Sequence, residues 1–202
     1  MPTNPIITNS IERMLGFEKY AKIMIDVNKV DVSKNQSFQK LFDDYYEIRR
    51  NAAWRKIYYD FFQKAKSNSS ITFDDIIDYL YNNAKTNRGQ NNPVEASFSS
   101  KMLATINHNM PILDSQVLAN MGLSIVGKTP ADKLKSAKDT YETIRNRYSN
   151  YLGTADCLDA IALFDTYFPD YTTVSEVKKI DWFLWGFSKS ELNAIGKFGS
   201  LL

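Results

Sequence analysis

Apolar residues recur every three to four positions along most of the chain, which is the spacing of an amphipathic helix. The clearest case runs from about Ser37 to Lys66 and contains neither glycine nor proline. It predicts one long helix, or two helices separated by a short interruption. No segment alternates apolar and polar residues as a half-buried strand would. The pattern therefore predicts an all-α fold, a compact bundle of about seven or eight helices.

The segment from Pro93 to Leu123 has the most informative pattern. Its pattern predicts a helix capped by Asn92, then a polar break and an extended segment that begins at Pro111. A second helix, capped by Asp114, follows. Gly122 is placed to end the second helix. We interpret residues 1–202 as one helical domain, with two lobes that meet near residues 90–125 as the alternative.

Composition restricts the class of protein. The 202 residues are 44% hydrophobic and carry a net charge of +2, which neither demands nor excludes a polyanionic partner. A single cysteine, Cys157, cannot form an internal disulfide and fits a reducing compartment. One cysteine and one histidine also argue against a Cys/His zinc site. With no signal-peptide or membrane-spanning pattern in the sequence, we predict a cytoplasmic protein without membrane, metal or cofactor.

Two charged residues stand out in the central segment. Lys101 follows a run of small residues on the first helix, and Asp114 heads the second. An amine on one helix and a carboxylate at the start of the next are placed to face one cleft. That arrangement is typical of an amine nucleophile with a carboxylate helper. We therefore predict Lys101 and Asp114 as catalytic residues.

Between Pro93 and Leu123, a helix with a lysine is followed by a Pro-apolar-apolar-Asp segment and a further helix. This order of elements resembles that of the helix-hairpin-helix DNA glycosylases. The resemblance implies a helix-hairpin-helix glycosylase-like fold and duplex DNA as the partner. It also implies base excision, with Lys101 attacking a sugar carbon and Asp114 stabilising positive charge on the sugar. The chain differs from that family in having no glycine in the turn before Lys101.

Basic residues near aromatic residues suggest a surface for nucleic acid. The predicted nucleic-acid-binding residues are Arg49, Arg50, Arg55, Lys56, Arg88 and Lys128. For the group around Trp54, the alternative is that the rings belong to the core and the basic side chains to a solvated helix face. Amphipathic helices usually have that arrangement.

Alternatives to catalysis remain open from the sequence. Asp114 is also a good helix N-cap, and Lys101 can be a surface lysine whose stem covers apolar neighbours. A glycosylase-like fold can keep its shape without activity. The functional predictions are thus a glycosylase-like DNA-binding protein, active or relic, with a possible glycosylase or abasic-site lyase activity, or a non-catalytic helical interaction module.

Overall fold

The regular structure is helical throughout the residues that the computed structural model describes, 16–86 and 88–202. In those ranges no strand forms, and one isolated bridge joins Lys85 to Asn91. Residues 16–86 and 88–202 form ten α-helices and one short 3-10 helix, Pro169–Tyr171. The α-helices are α1 (Phe17–Asp26), α2 (Gln36–Tyr46), α3 (Ala52–Ala65), α4 (Phe73–Asn83), α5 (Ala96–Ile106), α6 (Ser115–Met121), α7 (Pro130–Tyr151), α8 (Ala155–Tyr167), α9 (Glu176–Gly186) and α10 (Lys189–Ile195). The all-α prediction is confirmed.

The predicted number of helices, seven or eight, is too low. One reason is that the segment from Ser37 to Lys66 forms two helices, α2 and α3. Glu47 is the C-cap of α2 and has a left-handed φ of 54°. The Asn51 side chain accepts a hydrogen bond from the Trp54 N–H at the start of α3. Such a break needs no glycine or proline, because asparagine satisfies the free N–H groups of the new helix.

The aromatic side chains of α3 lie in the core. Trp54 is 1% exposed and stacks on Tyr58, with ring centroids 4.8 Å apart. Tyr59 is equally buried and donates a 2.6 Å hydrogen bond to Asp43. These rings pack against the protein rather than forming a platform for bases, as the amphipathic alternative predicted. Buried hydrophobic residues from Phe17 to Leu201 belong to one cluster.

The start of α5 differs from the sequence prediction. Asn92 does not cap it, because its backbone has a φ of 56° and its side-chain amide donates to the carbonyl of Tyr81 at the end of α4. The helix begins at Ala96, and Glu95 occupies the N-cap position without a capping hydrogen bond from its side chain. The Glu95 carboxylate instead pairs with Arg50, at 2.9 Å. No helix of the described ranges is both long and apolar enough to cross a membrane.

Candidate functional site

A pocket of about 300 Å³ opens between the C-terminal end of α2, α5, the start of α6 and α9. Its charged lining residues are Glu47, Lys101, Asp114, Lys178 and Asp181. Both predicted catalytic residues therefore line the same pocket. Its size is at the lower end of the range for small-molecule sites.

Ser100 sets the spacing between Lys101 and Asp114. This serine is fully buried, and its hydroxyl oxygen accepts a 2.9 Å hydrogen bond from the N–H of Leu113. Ser100 directly precedes Lys101, and Leu113 directly precedes Asp114. One hydroxyl thus ties the helix that carries the amine to the extended segment that carries the carboxylate. The small-residue run before Lys101 allows this close approach.

The same extended segment is held from two other sides. The Tyr141 hydroxyl of α7 donates to the Pro111 carbonyl at 3.0 Å. The Ile112 N–H donates to Asp181 of α9 at 3.3 Å. Three helices therefore satisfy the backbone of a segment that Pro111 keeps out of helical geometry. These bonds place Asp114 at the pocket wall.

The Lys101 amine lies in a partly desolvated position. It donates a 3.3 Å hydrogen bond to the Tyr46 carbonyl, and its nitrogen is 5.6 Å from the Phe98 ring centroid. Burial lowers the pKa of Lys101 below its ordinary value, the Asp114 carboxylate opposes that shift, and the Lys178 ammonium adds to it. A lowered pKa increases the share of neutral amine, which is the nucleophilic form.

Asp114 has a capping role as well as a place in the pocket. One carboxylate oxygen accepts a 3.0 Å hydrogen bond from the Val117 N–H and caps α6. The residue is 8% exposed, and α6 ends at Gly122, which has a φ of 64°. Both predicted ends of this helix are confirmed. An N-cap also suits an anion, because the free N–H groups of the first turn stabilise negative charge.

Besides Glu47 at the end of α2, the pocket has two charged residues that were not predicted from the sequence, Lys178 and Asp181 on α9. They are 5% and 2% exposed. One Asp181 oxygen accepts a 2.6 Å hydrogen bond from the Tyr148 hydroxyl, and its other oxygen has no partner in the described protein. Burial raises the pKa of Asp181 to about 7, although the Lys178 charge opposes the shift. The sequence did hold a signal for these buried charges. A lysine and an aspartate lie three positions apart in a helix that is otherwise rich in large apolar residues.

Aromatic rings form much of the remaining wall of the pocket. They belong to Tyr45, Tyr46, Phe98, Trp182 and Trp185. Trp185 is 38% exposed, whereas Trp182 is 1% exposed and packs in the core. A ring that lies at a pocket wall and still contacts solvent can stack on a flat ligand.

The six predicted nucleic-acid-binding residues divide into two groups. Three of them form ion pairs with carboxylates: Arg50 with Glu95 at 2.9 Å, Arg55 with Asp43 at 3.2 Å and Lys56 with Asp60 at 2.7 Å. Because Glu95 and Asp43 are buried, the two arginines neutralise carboxylates of the core. Arg49, Arg88 and Lys128 are exposed, as is Lys56. Contact of these residues with DNA stays a prediction.

The described ranges contain no group of three histidine, cysteine, aspartate or glutamate side chains arranged to hold a metal ion. Comparison of the chain with known protein families, curated proteins and solved structures finds no match. The pocket geometry is therefore the basis for a functional assignment.

Proposed function

We propose that this protein is a DNA glycosylase-like enzyme in which Lys101 is the amine nucleophile and Asp114 the supporting carboxylate. The observation that carries the proposal is that both side chains line one aromatic-walled pocket. The amine is also desolvated, which favours its neutral form. The resemblance of Pro93 to Leu123 to helix-hairpin-helix glycosylases supports the same assignment.

The proposed step forms a bond between the Lys101 nitrogen and C1′ of a deoxynucleotide. The bond from C1′ to the base breaks, the base leaves with the electron pair, and one amine proton is transferred to the base. Positive charge develops on the sugar as the bond breaks, and the ionised Asp114 stabilises it. Opening of the sugar ring then gives an imine between the sugar and Lys101, which hydrolysis releases.

The pocket suits a nucleotide turned out of a duplex. An extruded base is usually held between flat or apolar side chains and read through its polar edge. Phe98 and Trp185 offer ring surfaces, and the buried Asp181 offers a carboxyl group to a base edge. The volume of about 300 Å³ also restricts the pocket to a ligand of small size.

Borohydride trapping on duplex DNA tests this function. Duplexes with an abasic site or an oxidised base are incubated with the protein and reduced, and the covalent adduct is measured on a denaturing gel. We expect Lys101→Met to abolish the adduct. Asp114→Asn should reduce it on the order of 100-fold while preserving the cap, since asparagine caps as well as aspartate. The matched control is Lys179→Met, which removes a buried lysine that pairs with Asp165, outside the residues lining the pocket.

The other outcomes separate the alternatives. Binding to duplex DNA that weakens steeply with salt, without any adduct, would indicate a glycosylase-like shape without activity. Absence of both the adduct and salt-sensitive binding would refute the proposal and favour the helical interaction module.

A further inference from the structure

We infer that Lys178 is a positioning residue whose positive charge, held beside Lys101, favours the neutral form of the Lys101 amine. The inference rests on the proposed function, in which Lys101 is the nucleophile. A neighbouring cation is one of the ways in which a protein activates a lysine. Lys178 itself need not touch the reacting atoms.

The Lys178 ammonium is surrounded by aromatic rings. Its nitrogen lies 4.8 Å from the Tyr20 ring centroid, 5.5 Å from Trp182, 5.8 Å from Tyr45 and 6.0 Å from Tyr46. Within the described part of the chain, no carboxylate lies at ion-pair distance from it and no group accepts its hydrogen bonds. Ring faces stabilise a cation without neutralising its charge. The positive charge of Lys178 therefore acts on its surroundings.

Lys179 shows what a buried lysine does when its role is only structural. It is 3% exposed, and its ammonium pairs with Asp165 at 2.7 Å and donates to the Thr172 carbonyl at 2.8 Å. Burial of a charge without such partners is costly. Lys178 is 5% exposed, lacks these partners and lines the pocket. The faces of the surrounding aromatic rings stabilise its ammonium instead.

Lys178 and Lys101 approach the same ring. The Tyr46 ring centroid lies 5.7 Å from the Lys101 nitrogen and 6.0 Å from the Lys178 nitrogen. The aromatic cage cannot easily rearrange, because Trp182 is buried and its indole N–H donates to the Tyr45 hydroxyl at 3.1 Å. The two ammonium groups are held near each other from different helices, α5 and α9.

The charges around Lys101 act in opposite directions. Glu47 at the end of α2 and Asp114 at the start of α6 favour its protonated form, whereas Lys178 on α9 opposes it. Asp181 on α9 lines the same pocket and interacts with Lys178. Burial is the largest cause of the lowered pKa of Lys101, and Lys178 is the neighbouring charge that acts in the same direction.

The test measures the pKa of Lys101 without DNA. The folded protein reacts with trace acetic anhydride across a pH series, and mass spectrometry of the peptide with Lys101 reports how its acetylation rises with pH. We expect Lys178→Met to move the midpoint upward by about one pH unit, a tenfold loss of neutral amine at a given pH. Lys179→Met, which removes an equally buried lysine, should leave the midpoint unchanged.

A second pair of variants controls for Asp181, whose ionisation also responds to Lys178. The shift is measured again between Asp181→Asn and the double variant with Lys178→Met, in which residue 181 is uncharged throughout. An upward shift in both pairs supports the inference. A folded Lys178→Met protein with an unshifted Lys101 midpoint in both pairs overturns it.

The labelling result and the trapping result are independent. If Lys178→Met shifts the midpoint of Lys101 acetylation but the protein forms no DNA adduct, the glycosylase proposal is refuted and the effect of the Lys178 charge on Lys101 stands. An adduct that forms with the same pH profile in Lys178→Met as in the natural chain would retain the glycosylase and refute the role of Lys178.

Discussion

Asp181 makes the stability of the fold depend on pH, and Asp181→Asn should remove that dependence. The carboxyl is 2% exposed, and its pKa is raised by burial from 3.8 to about 7. In the unfolded chain the same group titrates near its ordinary value. Between these two values the folded protein holds a proton that the unfolded chain has lost. The contribution of Asp181 to the free energy of unfolding is therefore complete below the pKa of the unfolded state. It is lost as the pH rises through the pKa of the folded state.

The size of the effect follows from the shift. Each pKa unit corresponds to about 1.4 kcal/mol, and the folded group is half ionised near pH 7, so raising the pH from about 5 to about 7 should lower the free energy of unfolding by roughly 2 kcal/mol through Asp181 alone. An asparagine oxygen can accept the same hydrogen bonds from Tyr148 and from the Ile112 N–H. It avoids the cost of a buried carboxylate. We therefore expect Asp181→Asn to be more stable than the natural chain at about pH 8, by a margin that shrinks as the pH falls and is small only below about pH 4.

Urea unfolding followed by tryptophan fluorescence, at a series of pH values, measures this difference. Other groups also titrate, so the informative quantity is the difference between the variant and the natural chain at each pH. Asp139→Asn is the control, because Asp139 is an exposed partner of Lys135 and should change stability little at any pH. A difference for Asp181→Asn that stays constant from about pH 5 to about pH 8 would refute the reasoning.

Three further variants test how the fold holds the site. Ser100→Ala removes the acceptor of the buried Leu113 N–H, and should lower the free energy of unfolding by about 1–3 kcal/mol and weaken trapping although Lys101 is retained. Asn120→Ala removes two hydrogen bonds, of 2.7 and 2.9 Å, that the Asn120 side chain of α6 donates to backbone carbonyls at the end of α9. Denaturant unfolding should show a similar decrease in the free energy of unfolding. Thr129→Ala removes the capping box of α7, which should cost about 1 kcal/mol in the same assay and leave the pocket unchanged. Equal trapping by Ser100→Ala and the natural chain would contradict the role given to Ser100.

Local features of this chain were predictable from the sequence. The period of apolar residues predicts the all-α class, and the cap at Asp114 is found where the sequence placed it. A cap depends on residues within one turn of each other, so neighbouring positions carry the information. Lys101 and Asp114 were paired for a related reason, since only a short proline-led segment separates their helices.

The tertiary structure decided which charges are neutralised and which face the pocket. Arg50 pairs with the buried carboxylate of Glu95, 45 positions away, a partner that the sequence did not indicate. Lys178 and Asp181 line the same pocket as Lys101 because α9 packs against α6, although 77 and 80 positions separate them from Lys101 in sequence. Periodicity indicates which face of a helix is buried but not which helix covers it. The partners of a buried charge, and hence its pKa, depend on that packing.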